Sequence, residues 1–133
     1  MTAGAAAGAA VKTILVVDDE SMLREAVADA LRDEGYVALE GADGREAVEL
    51  FDRERPDLVL MDVMMPRLDG REALRLIRSA QPVATIPVVM MSAAVPPALL
   101  DPAIAGFLAK PFDLDQLLAL VAKLIGHPAP LPG

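Results

Sequence analysis

The 133-residue chain contains no cysteine and only one histidine. Disulfides and thiolate metal sites are therefore excluded, and redox chemistry does not fix the compartment. The lone histidine, His127, opens the proline-rich run 127–133 and is assigned no ligand role. No uninterrupted apolar stretch reaches the length of a membrane span. The opening Met-Thr-Ala-Gly-Ala-Ala-Ala-Gly-Ala-Ala lacks the basic start and bulky apolar run of an export signal. A cytoplasmic location is the expectation, with no membrane partner. Positive charge is also scarce: 12 Lys and Arg against 20 Asp and Glu give a net charge of −8. Phosphate backbones are bound by basic patches, so no direct contact with nucleic acid is expected.

The hydrophobic fraction is 54%, which argues against disorder, and the length suits one domain with a real core. Residues 1–10, almost all Ala and Gly, bury little and read as a flexible tail. A domain over 11–126 and a Pro-rich tail or linker start over 127–133 complete the expected organisation. Within the domain, short apolar runs alternate with helical periodicity. Strands are predicted at 13–17, 36–40, 58–61, 87–91 and 106–110. Helices are predicted between them, the first with Met22, Leu23, Ala26, Val27, Ala30 and Leu31 inward and stopped at Gly35. Asp43 with Glu46, Asp69 with Glu72 and Asp113 with Gln116 have capping-box spacing. Leu117, Leu118, Val121, Leu124 and Ile125 form the inner side of the last helix. Five strands alternating with helices imply an α/β, doubly wound parallel sheet covered on both faces.

One segment breaks the rhythm. Residues 92–110 must cross from the fourth strand to the fifth, yet contain Pro96, Pro97 and Pro102. The helix of that crossover is predicted to be short or broken, with turns at Pro97–Leu100 and Ala103–Ala105.

The chemistry sits at strand ends. Asp62 closes the run Leu58-Val59-Leu60-Met61, and Asp18-Asp19-Glu20 close Ile14-Leu15-Val16-Val17. Open α/β sheets bind ligands at the carboxyl ends of their strands. Two acidic strand ends there suggest a divalent-metal site beside a reactive aspartate. Ser92 and Lys110 end the fourth and fifth strands at the same edge. Each residue alone has a plainer reading: the acids as helix caps or solvated turns, Ser92 as a loop hydroxyl, Lys110 as a surface lysine. Met61, Met64, Met65, Met90 and Met91 read as packing side chains.

Taken together, Val-Val-Asp-Asp-Glu at 16–20, Met-Asp-Val-Met-Met-Pro-Arg-Leu-Asp-Gly at 61–70, Met-Ser-Ala at 91–93 and Lys-Pro-Phe at 110–112 resemble the receiver domain of two-component response regulators over about residues 11–126. The resemblance implies a flavodoxin-like sheet of order 2-1-3-4-5. It implies a signalling switch, not an enzyme that turns over a metabolite, with self-phosphorylation and self-dephosphorylation as its intrinsic activity. Asp62 would accept a phosphoryl group from a histidine kinase or phosphotransfer protein. Mg²⁺ (or Mn²⁺) would be held by Asp19, Asp62 and the Met64 carbonyl, with Asp18 acting through a bound water. Lys110 would bind one phosphoryl oxygen and Ser92 another, while the small Ala93 leaves room for entry. The Lys110-Pro111 bond would be cis, and Phe107 would be the aromatic that answers movement of Ser92.

Two other functions compete. One is a receiver-like interaction module that works without phosphorylation, favoured by the shortened 96–106 region. The other is an aspartyl-phosphate hydrolase of the haloacid-dehalogenase type, which wants an acid two residues after the nucleophile, where Met64 stands. The short crossover also puts in doubt a dimer through the usual face of the last helices and strand, and shifts the expected partner surface toward the first and last helices. A free-standing regulator and a piece of a longer one fit the sequence equally, and its downstream partner is not legible.

Overall fold

The computed structural model describes residues 11–80 and 86–128. The tail expected at 1–10 and most of that at 127–133 lie outside this range. Strands β1 (Thr13–Val17), β2 (Val37–Gly41), β3 (Leu58–Asp62), β4 (Val88–Ser92) and β5 (Gly106–Ala109) alternate with helices α1 (Ser21–Asp33), α2 (Gly44–Glu54), α3 (Gly70–Ala80) and α4 (Leu114–Ile125). The sheet is parallel throughout in the order β2-β1-β3-β4-β5. The chain winds one way from β1 to β2 and then reverses to β3, so the switch point falls between β1 and β3. That is where such sheets open a crevice at their carboxyl ends.

Both faces are covered, so the strands are continuously apolar and each splits its side chains between two cores. Ile14, Val16, Leu58, Leu60, Val89, Met91 and Leu108 join Val27, Leu31, Leu117 and Val121 under α1 and α4. Leu15, Val17, Val59, Met61, Val88 and Met90 join Ala47, Phe51, Ala73, Leu74 and Ile77 under α2 and α3.

Local rules explain most boundaries. The Asp43 carboxylate accepts the Glu46 N–H at 2.9 Å, while Glu46 reaches back to the Ala42 N–H at 3.1 Å. Asp69 caps α3 through the Glu72 N–H at 3.1 Å. Asp113 occupies the cap position of α4 without a side-chain hydrogen bond, so the third capping box does not form. Asp113 is exposed there, and the first helical bond runs from the Leu117 N–H to its carbonyl. The strands β2, β3 and β4 each end one residue later than the pattern suggested, which draws Asp62 and Ser92 into the ladder itself.

The inner stripe of α1 is also rotated from the expected one. It runs through Arg24, Val27, Ala28 and Leu31, whereas Ala26 is exposed and Met22 is 85% exposed. At 3.6 residues per turn, a face centred on Leu31 puts Met22 on the opposite side. Met22 and Ala26 are apolar by type but lie on the solvent face.

Between β4 and β5 the short or broken helix expected there is a single 3₁₀ turn, Pro97–Leu99. The segment 93–105 covers its side of the sheet with separate apolar contacts, Val95, Leu100 and Ile104, packed on the α2/α3 core. Leu100 is buried, while its neighbour Leu99 is 69% exposed. Leu100→Ala is therefore expected to destabilise the fold by about 2–4 kcal/mol. Leu99→Ala should stay within about 0.5 kcal/mol of the parent. Urea midpoints at constant slope decide this, and equal effects of the two substitutions would contradict the assignment of Leu100 as the anchor.

Candidate functional site

Four strand ends converge at the carboxyl edge. Asp18 follows β1, its N–H bonded to the Gly41 carbonyl of β2 at 3.1 Å. Asp62 is the last residue of β3, in register with Met91, and Ser92 ends β4 beside Ala109. Lys110 follows β5, its N–H donating to the Ser92 carbonyl at 2.9 Å. Asp18, Asp62 and Ser92 are buried, and Asp19 and Glu20 are exposed at the mouth.

The Lys110 ammonium ties the site together. Its Nζ lies 2.8 Å from Asp18 Oδ2, 3.0 Å from Glu20 Oε1 and 3.4 Å from Asp62 Oδ1. Asp18 Oδ1 accepts the Glu20 N–H at 3.0 Å. Its Oδ2 faces the ammonium as an ion pair, at an angle that gives no proper hydrogen bond. Ser92 Oγ accepts the N–H groups of Ala94 and Val95 at 3.1 and 2.9 Å, using its lone pairs and not its proton. The Lys110-Pro111 peptide is cis. The crevice, about 280 Å³, is lined by Asp19, Glu20, Asp62, Met64, Ser92, Ala93 and Lys110, among others.

Burial, and then the neighbouring Asp18 charge, push the Asp62 carboxyl up to about 7, with Lys110 pulling the other way. Burial works to lower the Lys110 ammonium, but the close Asp18 and Glu20 carboxylates, and the Asp62 charge behind them, hold it above its ordinary value. A carboxylate oxygen from each of Asp18, Asp19 and Asp62 lies within 4.8 Å of the others. Three hard oxygen donors at this spacing, one of them a buried Oδ2 without a hydrogen bond, fit a small divalent cation.

The structure brings Asp18, Asp19, Asp62, Met64, Ala93, Ser92 and Lys110 to one crevice. Phe107 stands apart, half-buried on the α2/α3 side of β5, and shares a second cavity with Ser92, Val95 and Pro97. Met64, expected to pack, is 56% exposed, because it leaves the sheet on the loop after β3. That loop is pinned by Arg67, whose left-handed backbone (φ 67°) is held by a 2.7 Å ion pair to the capping Asp43.

Two residues were missed in the sequence. Glu20 was read only as part of an acidic strand end, but it pairs with Lys110. Arg24 donates to the Asp18 carbonyl at 2.9 Å and to Glu40 at 3.1 Å, holding the end of β1 from α1. A charged residue on the inner face of an amphipathic helix was the available signal.

With this geometry established, the relatives fall into one class. Residues 14–122 match the response regulator receiver domain family, and the chain belongs to it. It is 40% identical over 124 residues to the response regulator MprA of Mycolicibacterium vanbaalenii, covering 90% of this chain and 53% of that one. It is 37% identical over 121 residues to the transcriptional regulatory protein PdtaR of Mycobacterium tuberculosis, covering 87% and 58%. The chain thus spans just over half the length of these curated relatives. Among solved structures, the chemotaxis protein CheY4 of Vibrio cholerae superposes with a TM-score of 0.78 at 30% identity, covering 87% of this chain and 100% of that one. The receiver domain of the sensor histidine kinase PA1611 from Pseudomonas aeruginosa gives 0.78 at 31% identity, covering 88% and 99%. That structure carries a magnesium ion coordinated in its active-site cleft. The protein is a receiver domain of two-component signalling, with the flavodoxin-like sheet of its class.

The raised Asp62 carboxyl sets a pH dependence with a definite sign. Between its ordinary value near 4 and about 7, the folded chain binds more protons than the unfolded one, so stability falls as pH rises and levels off above about 7. In metal-free buffer, Asp62→Asn should therefore be more stable than the parent at pH 8, by about 2–4 kcal/mol, with the gap closing toward pH 4. Thermal unfolding of both chains across this range tests it. A gap that is constant with pH, or of opposite sign at pH 8, would refute the assignment.

Proposed function

We propose that the chain is a phosphoacceptor whose nucleophile is Asp62. The observation that carries this reading is the buried Asp62 carboxylate at the switch point, with Asp18 and Asp19 on one side and Lys110 on the other. An Asp62 carboxylate oxygen forms the new O–P bond as the P–N bond of a phosphohistidine, or the P–O bond of an acyl phosphate, breaks. The imidazole or carboxylate leaves with the electron pair. Asp62 must be ionised to attack; burial and Asp18 oppose that form in the metal-free site, and a cation held by the neighbouring carboxylates would favour it.

Asp18, Asp19, Asp62 and the Met64 carbonyl would hold Mg²⁺ or Mn²⁺, which supplies charge neutralisation for the equatorial oxygens of the transferring group. Lys110 pairs with one of those oxygens, exchanging part of its contact with Asp18 and Asp62. Ser92 turns its free hydroxyl proton to another. Ala93, exposed at the mouth, leaves the entry path open. Because Ser92 Oγ holds Ala94 and Val95, its movement reaches the cavity that Phe107 lines, and Phe107 is the aromatic placed to respond.

The donor is a histidine kinase or phosphotransfer protein, and the chain acts on a downstream protein without contacting nucleic acid itself. Residues 11–126 form the working domain. No helix among the described residues is long and apolar enough to cross a membrane, in keeping with a cytoplasmic role. One observation favours a second reading, a module that docks without phosphorylation: the crossover to β5 holds only one 3₁₀ turn.

Incubation with acetyl phosphate and Mg²⁺, followed by intact mass, should show one added phosphoryl group that is absent with EDTA or in Asp62→Ala. Lys110→Ala should slow its formation by about fivefold to nearly a thousandfold, since a charge contact at this range is worth about 1–4 kcal/mol. No adduct on the parent chain would favour the phosphorylation-independent module.

A further inference from the structure

The short crossover leaves a groove on the other flank of the molecule. A cavity of about 500 Å³ opens between α3, β4 and the 93–105 segment, and it shares no lining residue with the phosphoacceptor crevice. Leu74 and Met90 form its floor, Arg71, Arg75 and Arg78 one wall, and Asp101 stands opposite. The three arginines follow a 4, 3 spacing, so they share one face of α3 over two turns, about 10 Å.

This wall is anomalous for the chain. Acids outnumber bases 20 to 12, yet three of the nine arginines stand on this one stripe. Their present partners are weak. Arg71 pairs with Asp69 at 3.1 Å and Arg75 with Glu72, both at the surface, where ion pairs contribute little. Among the described residues Arg78 makes no ion pair, and its buried Nε finds no hydrogen-bond partner there. A buried guanidinium N–H without an acceptor is a donor awaiting one.

We propose that this groove docks an acidic segment of a partner protein, its carboxylates on the Arg71, Arg75 and Arg78 stripe and an apolar side chain over Leu74 and Met90. Guanidinium forks match carboxylates in geometry as well as charge. A second copy is a poor occupant, because two-fold pairing of this face would set arginine against arginine. Nucleic acid is disfavoured by the net charge of −8. The proposal does not depend on the phosphoacceptor reading.

The test uses the ¹⁵N-labelled full chain and a synthetic helical peptide carrying Glu and Leu at i, i+4 spacing, with a twin in which Lys replaces every Glu. Saturable amide shifts are expected at 71–79, Met90 and Asp101 with the Glu peptide, weakening with salt. Arg71→Gln/Arg75→Gln should bind at least about tenfold more weakly, while the α2 control Arg45→Gln/Arg53→Gln binds as the parent. The same result on Asp62→Asn separates this groove from the phosphoryl site. The proposal is overturned by equal binding of the Lys twin, by shifts centred elsewhere, or by parent-like binding of the α3 variant. Absence of saturable shifts at millimolar peptide, or self-association of the free chain through this face, overturns it equally.

Discussion

Asp18 and Asp62 are carried almost dry to one edge of a parallel sheet, and the Lys110 ammonium, 2.8 Å from one and 3.4 Å from the other, offsets their repulsion. The offset is incomplete: two acids and a third at the mouth face one lysine, and the Asp62 carboxyl rises to about 7 as a result of burial and the Asp18 charge. A site with more acids than its one lysine can offset is built to take up a cation. A hard cation at the carboxylates would relieve the imbalance, and Lys110 would then be free to face an incoming anionic phosphoryl oxygen. The stability of the resting chain and its chemistry are thus set by the same deficit.

Much of this was legible because the relevant residues punctuate strands. An apolar run ending in Asp, Ser or Lys states both the strand and its carboxyl end, and a parallel sheet brings all such ends to one edge. The order 2-1-3-4-5 itself came from the family resemblance, since periodicity does not say which strands are neighbours. What periodicity misjudged was helix phase. Met22 is apolar and Arg24 charged, so pattern reading turns α1 the wrong way. The helix turns Arg24 inward because its guanidinium bonds the Asp18 carbonyl and Glu40 beneath it. Glu20 escaped for a similar reason: its partner lies 90 residues away, and no local pattern records such a pairing. The Asp113 cap failed because spacing permits a side-chain hydrogen bond without compelling it.

The crossover after β4 ties the site to the rest of the surface. Three prolines exclude a regular helix there, and the chain substitutes Val95, Leu100 and Ile104 as separate contacts on the α2/α3 core. A helix would have covered the flank of α3 with its own side chains. A string of isolated contacts leaves spaces between them, and the groove beside Arg71, Arg75 and Arg78 is one such space.

The same segment begins at Ser92, whose hydroxyl oxygen holds the Ala94 and Val95 N–H groups of the loop. A rigid helix would resist a pull on that hydroxyl along its length. A loop anchored at Val95, Leu100 and Ile104 can yield piecewise, because each contact is local and no ladder of backbone bonds links them. Displacement at Ser92 would pass first to Val95 and the cavity beside Phe107, and only then to Leu100 and the loop's contact with the arginine groove at Asp101. Coupling between the two flanks would therefore be graded by the packing of Leu100. That contact, buried on the α2/α3 core, separates the loop's site end from its groove end.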